Sequence, residues 1–149
     1  MGGLVIVDAA NVVGSVPDGW WRDRHGAAER LRDALAGYAG RGLPGLVEPP
    51  VEIVLVVEGA ARGVTSVEGV RVESASGSGD DRIVELVRDQ GLRRDGEGPA
   101  REGSAEADSG CLVVTADRGL RERVRALGAR VTGPRAVWGQ GGTRPGRGT

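Results

Sequence analysis

Residues 4–11 read LVIVDAAN. Leu4 to Val7 make a short apolar run rich in β-branched side chains, and the run ends on an acid, Asp8. Apolar character on both faces marks a buried central strand of a parallel sheet. The C-terminal end of such a strand is where α/β proteins place their chemistry. Three later stretches repeat the pattern: IVLVVE ends at Glu58, VRVESASGSGDD reaches Asp80 and Asp81, and CLVVTAD ends at Asp117. Together they predict a cluster of carboxylates along one edge of a sheet.

Outward from the first strand, Gly and Pro punctuation in AANVVGSVPDGWW predicts a loop over residues 9–21. Trp20 and Trp21 close it, one expected to cover the core and the other to pack the loop or face a groove. Ala27, Ala28, Leu31, Leu35 and Tyr38 recur at helical spacing, which predicts one helix over residues 23–40, stopped by Gly40, Gly42 and Pro44. A strand follows over residues 51–57, then a loop or single turn over 60–69, and a short edge strand over 70–73. Asp80 stands before Ile83, Val84 and Val87, as an expected helix cap. Residues 91–109 have almost no apolar content and read as an exposed loop. A strand over 111–115, a helix carrying Leu120, Val124 and Leu127, a strand over 129–132 and a further short one over 136–138 complete the order. Residues 139–149 show no core-forming pattern and are expected to fray. Alternating strands and helices with right-handed crossovers give a small three-layer α/β/α sandwich with a mostly parallel central sheet. The expected domain spans residues 1–138, with 139–149 as a flexible tail.

Composition narrows the function classes. The chain has 149 residues and a formal net charge of -1, from 20 basic and 21 acidic side chains. Every basic residue is Arg. Balanced charge gives no global argument for nucleic-acid binding, though it leaves room for a local basic rim. Cys111 is the single cysteine, so neither a disulfide framework nor a thiolate metal site is expected. No signal segment or membrane span is legible, and the default expectation is a cytoplasmic protein. The turn after the first strand lacks a dinucleotide glycine fingerprint, and no Walker-type phosphate loop is present.

At this point a family resemblance emerges. VIVDAANVV resembles the opening motif of the NYN ribonuclease-like domains, most closely their YacP-like branch among the PIN-like nucleases. GDDRIVELV resembles the family's acidic helix start, with Asp80 at the motif position and Asp81 beside it. VVTADRGLRERV resembles the late strand and its Ser/Thr-x-Asp turn, here Thr115 and Asp117. The acid that often ends the family's second strand falls on Glu58, where Asp is commoner in the YacP-like branch. The ordered motifs span roughly residues 4–138. The resemblance implies a PIN-like fold and hydrolysis of RNA phosphodiester bonds.

Mg²⁺ and Mn²⁺ take oxygen ligands and keep waters, which suits such a cluster. Asp8, Asp80 and Asp117 are the expected catalytic carboxylates and metal ligands, with Glu58 and Asp81 as supporting or second-metal groups. Asn11 is expected to hold a metal water or a phosphate oxygen, and Thr115 to aim Asp117. Arg118 and Arg121, at the start of the last helix, and Arg22 and Arg24, across the opening, are the candidate phosphate contacts. RNA is the expected partner, no membrane is, and a homodimer stays open. Against this stand a non-catalytic RNA- or protein-binding domain and a hydrolase of a small nucleotide or pyrophosphate. An open Arg-rimmed groove favours the nuclease, and a narrow pocket favours the small substrate. Each acid also has an ordinary alternative as a turn or helix-cap residue.

Overall fold

The computed structural model describes residues 3–15, 19–43, 45–96 and 110–137, without the side chains of residues 20 and 92–96. The expected tail over 139–149, Trp138 and residues 97–109 of the polar segment 91–109 lie outside the described residues. Strands β1 (Leu4–Asp8), β2 (Glu52–Val57), β3 (Val70–Ser74), β4 (Cys111–Val114) and β5 (Arg130–Thr132) form one five-stranded sheet in the order β3-β2-β1-β4-β5. Every pairing is parallel. The chain builds β1, β2 and β3 outward in one direction, then crosses to the other side of β1 for β4 and β5. This makes β1 and β4 the strands that flank the reversal of strand order, whose C-terminal crevice is the usual ligand position in open α/β sheets.

Strand alternation sorts the core into two layers. Val5, Val7, Ile53, Leu55, Val57, Leu112 and Val114 pack with Val12 and Val13 of α1 (Ala9–Gly14) and with Ala27, Ala28, Leu31 and Leu35 of α2 (Arg24–Ala36). Leu4, Ile6, Val54, Val56, Cys111 and Val113 face Ile83, Val84 and Val87 of α4 (Gly79–Gly96) and Leu120 and Val124 of α5 (Arg118–Arg125). The expected three-layer α/β/α sandwich is thus the observed one. Cys111 is fully buried, as expected of a small hydrophobe.

Several boundaries differ from the sequence reading. Residues 9–14 form helix α1 instead of opening a loop: Ala9 and Ala10 favour helix, the Asp8 carboxylate accepts from Asn11 N, and Val12 and Val13 gain burial. The helix expected over 23–40 divides at Gly37 into α2 and α3 (Tyr38–Arg41). Gly42 ends α3 with φ 74°, where a Cβ would lie 2.5 Å from the Val47 carbonyl oxygen. α4 begins at Gly79, so Asp80 occupies its first turn and is not its cap. The Ser78 hydroxyl accepts from Asp81 N over 3.3 Å at that end. α4 also runs on to Gly96, into the segment read as loop from residue 91. In place of the short strand expected over 136–138, Pro134–Ala136 is a 3-10 turn, consistent with a proline preset for helical φ.

Candidate active site

Register explains which side chains meet at the crevice. Val7 pairs with Val114, so the next residues, Asp8 and Thr115, leave the sheet side by side. Both follow the alternation toward the face covered by α4 and α5. The Thr115 hydroxyl donates to Asp8 Oδ2 over 3.0 Å, and both residues are buried. The same hydroxyl oxygen accepts from Asp117 N over 3.1 Å. Asn11 spans the same gap from α1, its Oδ1 accepting from Ala116 N over 2.8 Å. Arg121 reaches back from α5 and donates through Nε to the Thr115 carbonyl oxygen over 2.8 Å. Four side chains thus fix the turn between β4 and α5: Thr115, Asn11, Arg121 and Asp117, whose Oδ1 accepts from Leu120 N over 2.8 Å.

Glu58 follows β2 in extended conformation and continues its alternation to the same face. Its Oε1 accepts from Gly79 N at the start of α4. The cap roles weighed for the acids are therefore real: Asp8 caps α1, Asp117 caps α5 and Glu58 binds the first amide of α4. These roles occupy single lone pairs and leave each carboxylate with further acceptor capacity. Asp80 is different. Half-buried in the first turn of α4, its carboxylate makes no hydrogen bond or ion pair among the described residues.

Electrostatics tie the group together. Burial raises Asp8 from 3.8 to about 6, opposed by the Thr115 and Asn11 hydrogen bonds and reinforced by Asp80 and Glu58. Asp80 is also raised, first by burial and then by Asp117 and Glu58, while Arg123 counters. The acids feel one another without touching. Among the described residues, no three His, Cys, Asp or Glu side chains stand close enough to hold a metal ion. Coulomb repulsion extends well past coordination distance, so the two findings agree. The donor chemistry fits a hard divalent cation, being all oxygen and mutually repelling.

The remaining candidates divide. Asp81 is exposed and turned to Arg123 of α5 at 3.1 Å. Arg22 is exposed with its guanidinium 5.6 Å from the Trp21 ring centroid, and Trp21 itself is 52% exposed. Arg118 is exposed at the start of α5. Arg24 lines a pocket of about 300 Å³ that shares Glu58 with the acidic edge. Sequence reasoning missed this pocket because residues 9–14 of the loop it expected over 9–21 form helix α1, whose Ala10 and Val13 line it. It also missed Arg123, whose place opposite Asp81 of α4 depends on how α4 and α5 pack and on no spacing within α5.

Comparison with known proteins bears on the architecture. No family model matches the chain, and no curated protein matches it. Rae1 (YacP) from Bacillus subtilis superposes with a TM-score of 0.58 at 18% identity, covering 89% of this chain and 70% of that one. A point mutant of the same protein gives 0.60 at 17% identity over 91% and 72% of the two chains. The chain has the YacP fold. The fold implied by the motifs VIVDAANVV, GDDRIVELV and VVTADRGLRERV is thereby found, with an open parallel sheet and, in this chain, acids at its C-terminal edge. No helix among the described residues is long and apolar enough to cross a membrane.

Proposed function

We propose that the chain is a metal-dependent ribonuclease of the YacP-like NYN group, with Asp8, Asp80 and Asp117 as its central carboxylates. One observation carries this reading. Acids from β1, the end of β2, α4 and the turn after β4 gather at the sheet's switch point, where burial first, and then the neighbouring acids, raise the pKa of Asp8 and Asp80. Such an arrangement costs stability, and natural proteins keep costs of that kind where function needs them. The YacP fold supports the same reading. Asp8, Asp80 and Asp117 would hold Mg²⁺ or Mn²⁺, with Glu58 and Asp81 in support. When bound, such an ion lowers the pKa of a coordinated water and offsets charge on a phosphoryl oxygen.

The chain's own residues do the positioning. Thr115 holds Asp8 and the Asp117 amide with one hydroxyl. Asn11 and Arg121 fix the turn that carries Asp117. Glu58 ties the first amide of α4 to the end of β2 and so sets the height of Asp80. Arg24 and Arg118 stand at the rim as phosphate contacts, with Arg22 beside Trp21 further out.

The test is titration of Mn²⁺ and Mg²⁺ into the wild type and Asp8→Asn, beside cleavage of single-stranded and structured RNA. Metal binding and metal-dependent cleavage are expected of the wild type and lost in the variant. An unaltered cleavage rate in Asp8→Asn sinks the assignment. A second reading, a non-catalytic RNA- or protein-binding domain, is favoured by the absence of a close three-acid group among the described residues. Lack of specific metal binding by the wild type would select it.

A further inference from the structure

A pocket of about 300 Å³ opens beside the acidic edge, between α1, α2 and the 3-10 turn Gly59–Ala61 that follows β2. Its walls are methyl-bearing side chains: Ala10 and Val13 of α1, Ala28 of α2 and Ala61. All four side chains are small and apolar. Two charged residues break the apolar lining, Arg24 and Glu58. Glu58 Oε1 accepts from Gly79 N, and its second oxygen carries no bond among the described residues. The pocket thus pairs an apolar slot with a carboxylate acceptor and a guanidinium. The size is at the lower end of small-molecule sites and suits one mononucleotide-sized group.

We propose that this pocket seats one unstacked nucleobase of a single-stranded nucleic acid, with Arg24 on the attached phosphate. An unstacked base presents apolar faces, which suit the apolar alanine and valine lining. Its ring N–H and amino groups match the free oxygen of Glu58. Recognition of single strands combines contacts to unstacked bases with backbone cations; in this pocket small apolar walls take the place of an aromatic platform. A lipid tail or an apolar peptide side chain would leave the second oxygen of Glu58 facing an apolar group. The shared Glu58 puts the seated nucleotide next to the carboxylates. The proposal rests on the ribonuclease reading for its biological meaning, but the binding event needs no cleavage.

The experiment is calorimetric or NMR titration of adenosine and uridine 5′-monophosphate, and of inorganic phosphate, in EDTA. Ala10→Leu and Gly77→Leu serve as pocket-filling variants. Ala10 is exposed on α1, and a Cβ at Gly77 meets no atom within 4 Å, so both changes add bulk to the opening without crowding the core. Nucleotides are expected to bind the wild type more tightly than phosphate does, and each variant to weaken them about tenfold or more. Equal binding of phosphate and nucleotides overturns the base seat, as does wild-type affinity in both variants. Wild-type cleavage of RNA without nucleotide binding removes the pocket and leaves the nuclease. Nucleotide binding without metal-dependent cleavage keeps the pocket and removes the nuclease.

Discussion

The Thr115 hydroxyl and the Asp8 carboxylate, 107 positions apart in sequence, share a buried hydrogen bond of 3.0 Å that joins the ends of β1 and β4. Thr115 is the common partner of two acids, because its oxygen also receives the Asp117 amide. Thr115→Val keeps the shape and removes both bonds. Hydrogen bonds to charged or buried groups place the loss at about 1–3 kcal/mol, readable by urea denaturation. The bond also lowers the Asp8 pKa, so Asp8 should hold its proton to still higher pH in the variant. The acidic limb of the cleavage profile then moves upward, and Thr115→Ser restores it. Unchanged stability and an unchanged profile in Thr115→Val would contradict the assigned bond.

Asp8→Asn should separate stability from activity. Native Asp8 titrates near 6 and an unfolded aspartate near 3.8. Between those values the native state binds the extra proton, so this group's contribution falls as pH rises through the window. The full shift corresponds to about 3 kcal/mol at neutral pH as an upper bound. Asparagine carries no charge but gives up one acceptor toward Thr115 or Asn11, an offset of about 1 kcal/mol. The variant should therefore melt higher than wild type at pH 7.5 in EDTA and no higher at pH 4. Thermal denaturation at the two values decides it. A variant less stable at both indicates that Asp8 is a structural cap first.

The sheet and its acidic edge were legible because strand signals are local. β-branched runs ending in acids at Asp8, Glu58 and Asp117 fixed the strands, and alternation fixed their faces. Helix α1 was not legible, because Gly14 and Pro17 suggested a loop while tertiary burial of Val12 and Val13 stabilises the helix. The partners of the acids were not legible either. That Glu58 meets Gly79 and Asp81 meets Arg123 follows from how α4 and α5 lie across the sheet, which no spacing within one segment encodes. Thr115 and Asn11 were named as supports, but the bond from Thr115 to Asp8 required the pairing of Val7 with Val114.

Gly79→Ala tests whether Glu58 sets the position of Asp80. A Cβ on Gly79 would lie 2.8 Å from Glu58 Oε1, so the carboxylate must swing away and release the Gly79 amide. Alanine gains helix propensity of up to about 1 kcal/mol, which roughly cancels the lost acceptor. Stability should change little. Cleavage should fall to the level of Glu58→Ala, and the double variant should be no worse than either single one. Additive losses would show that the two residues act independently.

Arg123 offers a test of electrostatics without structure. Its ion pair with Asp81 at 3.1 Å is exposed on both sides, 46% and 68%, so its removal should leave stability essentially unchanged. Yet Arg123 is the cation that opposes the upward shift of Asp80. Arg123→Gln should raise the Asp80 pKa further, keep its proton to higher pH and move the acidic limb of cleavage upward. Screening acts on exposed charges over about 10 Å at 0.1 M salt, so the displacement should shrink as salt rises. Profiles recorded at low and high ionic strength give the answer. A displacement that persists undiminished at high salt points to a rearranged α5 instead of a lost field, and none at low salt removes Arg123 from the site.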